Sequence, residues 1–187
     1  LSVSHYGTIR GLHFQTGELE QAKLVTYIAA SRHKYYYLAS DKIAELLETI
    51  YQLAPITKLE IPFHQKISPQ LKEARTCYKH LAGKLAVTLA HNMIKEHYLS
   101  FDGQFKLTEK GEQLLLSWGV DYAKLKNTLL CKPCIDWTER KFHIGGSIGK
   151  EILSAFYQQK WLYSGQIHRS VYLTEAGSRA LSQLNLL

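Results

Sequence analysis

Apolar positions recur at helical spacing in short runs along this chain, and each run is followed by the alternation of two short strands. Leu81, Leu85 and Leu89 share one face of a helix, and Ile144, Ile148 and Ile152 repeat that face 63 residues later. The runs belong to His80-Leu-Ala-Gly-Lys-Leu85 and His143-Ile-Gly-Gly-Ser-Ile148, and each is read as one helix from its histidine onward. Tyr98 to Leu107 then reads as a hairpin around the turn signal Asp102-Gly103. Trp161 to Leu173 reads as a second hairpin, three residues longer. Both run into Leu-Thr-Glu-x-Gly, at Leu107–Gly111 and Leu173–Gly177. There the Thr hydroxyl can cap free amides and the Glu faces the positive end of the helix dipole. Leu114, Leu115 and Trp118 continue the first of these helices, and Ala180, Leu181 and Leu184 the second.

Residues 19 to 53 follow the same order. Leu19-Glu-Gln-Ala-Lys-Leu-Val25 ends a helix, and Thr26 to Leu38 reads as two strands around a polar tip. A helix from Ser40 or Asp41 carries Ile43, Leu46, Leu47, Ile50 and Leu53 at helical spacing. Helix, hairpin, helix is the order of a winged helix; any small α+β domain of helices and hairpins is the plainer alternative. The expected class is therefore mostly α with short β-hairpins, α+β. It consists of an N-terminal winged helix and a C-terminal pair of winged-helix-like repeats. Three of the four prolines fall between Ala54 and Gln70 with little periodicity. This divides the chain into residues 1–54, a linker at 55–70 and a C-terminal domain at 71–187. Asn127 to Gly146 reads as an irregular but packed loop between the two later units.

Composition narrows the class. A 45% hydrophobic and 21% charged chain of 187 residues buries a core and is neither disordered nor collagen-like. Three cysteines are too few for a disulfide scaffold, so a reducing, cytoplasmic setting is expected. No apolar run reaches the roughly 20 residues of a membrane span, and no leader points to export. The net charge of +7 suits an anionic partner without naming it.

The candidate chemistry is sparse. Arg32, His33 and Lys34 cluster at the tip of the first hairpin, with Tyr35 to Tyr37 on the returning strand. Such a tip can reach phosphates or a minor groove; a solvated turn beside packed tyrosines is the plainer reading. Cys131 and Cys134 form one C-x-x-C pair, which alone is weak evidence for zinc, usually four-coordinate. A mixed site with Cys77 and His143 requires that the fold bring them together. Small buried cysteines, a reversible thiol switch and a metal site all stay open. His80 and His143 hold matching places in the repeat, which suggests a shared capping or packing role. Asp136 and Glu139 near Arg140 read as a salt-bridged loop. No Ser-His-Asp set, phosphate-binding glycine loop or H-E-x-x-H occurs, so no enzyme, cofactor or committed metal site is read. The apolar stripe of Asp41 to Leu53 must be covered, by a second chain or by residues 71–99.

Several of these segments resemble ArsR-type winged-helix transcriptional regulators. They are Leu19-Glu-Gln-Ala-Lys-Leu-Val25, the Ser31-Arg-His-Lys-Tyr-Tyr-Tyr-Leu38 wing with its following helix, and Ala74-Arg-Thr-Cys-Tyr-Lys-His-Leu-Ala-Gly83. Pro133-Cys-Ile-Asp-Trp-Thr-Glu-Arg140 and His143 are similar to a longer branch of that family with an extra C-terminal region. The resemblance spans residues 19 to 187. It implies a homodimer on double-stranded DNA whose operator affinity responds to a metal, redox or small-molecule signal, with Cys77, Cys131 and Cys134 as candidate sensing residues. Separately, Ser2-Val-Ser-His-Tyr-Gly-Thr-Ile-Arg-Gly-Leu-His-Phe-Gln15, with Gln21-Ala-Lys-Leu-Val25, resembles a segment of the dTDP-4-dehydrorhamnose 3,5-epimerases. In that family the residues matching Arg10 and His13 bind phosphate and act as base. A cupin barrel needs a long series of further strands, and none follow. A third reading is a protein-interaction module of tandem winged helices without DNA.

Overall fold

A computed structural model of the chain describes residues 16–30, 33–40, 42–44, 46, 47, 50, 68–120, 125, 131–167 and 169–187. The chain divides into two units, Leu1–Leu53 and Ala54–Leu187. The Ser2–Gln15 part of the segment resembling an epimerase, with Arg10 and His13, lies outside the described residues, as do Arg32, Asp41, Leu53 and positions 55–67 of the expected linker. Pro69 and Gln70, the end of that linker, are already helical.

In the first unit α1 (residues 16–21) ends as the Leu24 amide reaches back to the Leu19 carbonyl at 2.9 Å, with Lys23 in the left-handed region. Strands β1 (Val25–Ala30) and β2 (His33–Leu38) form an antiparallel hairpin, Val25 opposite Leu38 and Ala30 opposite His33. Their aromatic and β-branched residues suit a pleated ribbon, and the rings of Tyr27 and Tyr36 meet across it at 5.5 Å. After Ser40, whose carbonyl accepts from the Ile43 and Ala44 amides, residues 42–44, 46, 47 and 50 are helical. Ala44 is buried, whereas Leu46, Leu47 and Ile50 are exposed.

The described part of the second unit opens with the short helix α2 (Pro69–Glu73), and then one order of elements occurs twice. Hairpin β3 (Arg75–Cys77)/β4 (His80–Ala82), helix α3 (Lys84–Lys95), hairpin β5 (Leu99–Phe101)/β6 (Phe105–Leu107) and helix α4 (Glu109–Ser117) come first. Hairpin β7 (Cys131–Ile135)/β8 (Phe142–Gly145), helix α5 (Gly146–Gln158), hairpin β9 (Leu162–Ser164)/β10 (Val171–Leu173) and helix α6 (Glu175–Gln183) follow. The two halves pack crosswise, α3 against β8 and α5 against β4. Leu85, Leu89 and Met93 of α3 join Ile148, Ile152 and Phe156 of α5 in one hydrophobic core. Trp118 meets Phe156 and Trp161 edge-on within it.

Two expectations are corrected. The long helices do not begin at the histidines: His80–Ala82 and Phe142–Gly145 are strands, and the helices start at Lys84 and Gly146. The break in the first falls at Gly83, whose φ of +88° no side-chain-bearing residue adopts without strain. A Cβ there would also meet the Lys72 carbonyl at 2.8 Å. The stretch 127–146 is likewise no irregular loop over its described part, because residues 131–145 form β7/β8. Pro133 fits because a two-stranded sheet has only edges.

Candidate metal centre

Each repeat of the hairpin-plus-helix order places one cysteine directly across from one histidine. Cys77 faces His80 in the register of β3/β4, and Cys134 faces His143 in that of β7/β8. Directly opposed residues share a face, with Cβ atoms about 5 Å apart. The crosswise packing turns these two faces toward each other. The ligating atoms of Cys77, His80, Cys134 and His143 all lie within 4.8 Å of one another. The two histidine Nε2 atoms are 3.0 Å apart. His80, Cys134 and His143 are buried, and Cys77 is partly buried.

A buried ion pair frames the cluster. The Arg75 guanidinium, 1% exposed, donates from Nη2 to both carboxylate oxygens of Asp136 at 2.8 Å, and Asp136 is itself fully buried. Its Oδ2 also accepts from the Gly83 amide at 2.7 Å, the amide freed by the turn into α3. Its Oδ1 accepts from the Thr138 amide and hydroxyl and from the Glu139 amide, which orders the β7–β8 turn. Burial alone would raise the Asp136 pKa; Arg75, Gly83 and Thr138 outweigh it and hold the carboxyl below its usual range. The expected loop salt bridge is thus redirected: the cation facing Asp136 is Arg75, from the other half of the unit. On the cluster side, Asp136 Oδ2 stands 3.6 Å from His143 Nδ1.

The protonation states follow. Burial lowers the His143 pKa and the neighbouring His80 lowers it further, against the opposing pull of Cys77 and Asp136. Its Nδ1 faces the Asp136 carboxylate, which accepts only, an arrangement that favours a proton on Nδ1 and leaves Nε2 toward the cluster. The Cys77 thiol is held far below its usual range, first by the hydrogen bond with Cys134 and then by the two imidazoles, against an opposing burial effect.

The cysteines therefore separate differently from the C-x-x-C reading. Residues three apart on an extended strand point to opposite faces. Cys134 enters the cluster, while Cys131 packs against the hydrophobic core. Burial pushes the Cys131 thiol up to about 12, so it stays protonated. His80, read as a capping or packing residue, is one of the four. The signal that finds it is a cysteine and a histidine flanking each of two turns, Cys77-Tyr-Lys-His80 and Cys134 to His143.

No family model matches the chain, and no solved structure matches it. Among curated proteins it is 30% identical over 173 residues to YdfF of Bacillus subtilis (strain 168), an uncharacterized HTH-type transcriptional regulator; the match covers 91% of this chain and 76% of that protein. The chain belongs to the HTH-type transcriptional regulators. For an HTH-type regulator the surface that meets DNA matters as much as the buried centre. Of the residues expected there, Arg32 is outside the described residues. His33 and Tyr35 lie on β2, opposite Ala30 and Ile28. Lys34 is exposed, its ammonium 3.9 Å from the centre of the Tyr27 ring. No described helix of this regulator is long and apolar enough to cross a membrane.

Proposed function

We propose that this protein is a cytoplasmic, homodimeric transcriptional regulator of the ArsR winged-helix type, binding double-stranded DNA and carrying no enzymatic activity. The relation to an HTH-type regulator over most of both chains carries the reading. The first unit supports it with a basic hairpin next to a helical segment whose Leu46, Leu47 and Ile50 are exposed. In this reading the hairpin is the wing, the exposed leucines and isoleucine meet a second copy, and Arg32, His33, Lys34 and Tyr35 approach the phosphates. The second unit receives a metal, redox or small-molecule signal. Of the three cysteines expected to sense it, Cys77 and Cys134 lie in the cluster with His80 and His143, and Cys131 packs against the core.

The wing is tested by a salt titration of duplex binding, followed by fluorescence anisotropy. Arg32→Ala combined with Lys34→Ala should weaken binding to any duplex and flatten the dependence of log K on log salt by about two. Unchanged affinity and slope would take the hairpin out of the DNA contact. No binding by the parent chain at low salt would instead favour a protein-interaction module.

A further inference from the structure

We propose that Cys77, His80, Cys134 and His143 bind one zinc ion per chain in a closed tetrahedral site that joins the two halves of the second unit. The donor set selects the metal. Two thiolates and two imidazoles suit a borderline-soft ion of tetrahedral preference, whereas calcium and magnesium require oxygen ligands. The dimensions agree. A tetrahedron with bonds of about 2.0 Å to nitrogen and 2.3 Å to sulfur has edges of roughly 3.3 to 3.8 Å. The four ligating atoms lie within 4.8 Å of one another, and the two histidine Nε2 atoms are at 3.0 Å.

The surroundings are those of a metal-binding histidine. His143 Nδ1 is fully buried and has no hydrogen-bond partner. It points at a carboxylate 3.6 Å away that Arg75, Gly83 and Thr138 already fix in place. A carboxylate behind the far nitrogen is the arrangement that sets the tautomer and orientation of a zinc-bound imidazole. All four positions of the tetrahedron are filled by side chains, so no place remains for water or substrate, and the ion is structural. Its ligands come in two pairs, one from β3/β4 and one from β7/β8. The ion therefore clamps one hairpin to the other. This assignment does not depend on DNA binding.

The test uses the full chain purified under reducing conditions without chelator. Elemental analysis should give one zinc per chain, and zinc-edge X-ray absorption should give two sulfur and two nitrogen neighbours. Added cobalt(II) should give the visible spectrum of a tetrahedral thiolate site. Cys131→Ser should keep the ion, while Cys77→Ser and Cys134→Ser should lose it. A variant that fails to fold leaves an experiment on the parent chain. Cys77 and Cys134 should resist iodoacetamide until a chelator is added, as mapped by mass spectrometry, while Cys131 reacts no differently with or without it. Three results would each overturn the proposal: no zinc uptake by the reduced chain, an oxygen-dominated coordination shell, or a Cys77–Cys134 disulfide that only a reductant opens.

Discussion

At the scale of single residues, the most consequential contact is Arg75 with Asp136. Both groups are buried, and the carboxylate accepts from the guanidinium and from amides of Gly83, Thr138 and Glu139. A charge left in such a site without its partner costs several kcal/mol, whereas removing both charges together can be nearly neutral. Arg75→Met and Asp136→Leu should each destabilise the fold by about 3–5 kcal/mol in urea denaturation. The double variant should cost clearly less than the two single costs added together. Additive costs would show that the pair is not energetically coupled. Sequence placed Asp136 in a salt bridge but named a neighbour in the chain as its partner. Position along the chain cannot reveal a partner 61 residues away, because that pairing exists only once β3 docks beside the β7–β8 turn.

Single elements were the most legible level. Leu-Thr-Glu-x-Gly has a complete physical account. The Thr108 hydroxyl accepts from the Gly111 amide at 3.0 Å and donates to the His97 carbonyl at 2.7 Å, tying the start of α4 to the end of α3. Thr174 does the same between Gly177 and Lys160, linking α6 to α5. Glycine follows because a Cβ at Gly111 would lie 2.0 Å from the Tyr98 carbonyl oxygen. Thr108→Ala and Thr174→Ala should each cost about 1 kcal/mol in thermal or urea unfolding. The residues closing α3 and α5, His97 and Lys160, hold φ of +60° and +56°, where glycine is at ease. His97→Gly and Lys160→Gly should therefore stabilise by about 1 kcal/mol, and a loss of stability would contradict the left-handed caps. The hairpins at 99–107 and 162–173 were equally readable, the first from Asp102-Gly103 at its turn. The hairpins bearing the cysteines were not. The strands β3 and β4 have three residues each, too short for alternation to register, and helical spacing beyond Gly83 drew the helix back over them. The C-x-x-C spacing drew attention to two sulfurs that the strand sends to opposite faces.

At the scale of the molecule, the α+β class and the helix–hairpin–helix part of each half followed from pattern, whereas the cysteine-bearing hairpins and the cluster came from packing that no pattern encodes. Four side chains spread over 67 residues, from Cys77 to His143, meet because the α3 half and the α5 half each cover the other's hairpin. The chain's membership among the HTH-type regulators speaks for the whole protein and by itself places DNA contact on neither unit.

Reciprocal cover of this kind has a consequence for folding. A polypeptide ending after Val120 would expose the apolar side of β4, and one beginning at Cys131 would expose that of β8, so neither piece could become native alone. Mixed together, the two pieces should reconstitute a native-like heterodimer by fragment complementation. The check is amide hydrogen exchange: protection of Leu85, Leu89, Ile148 and Ile152 should appear only in the mixture.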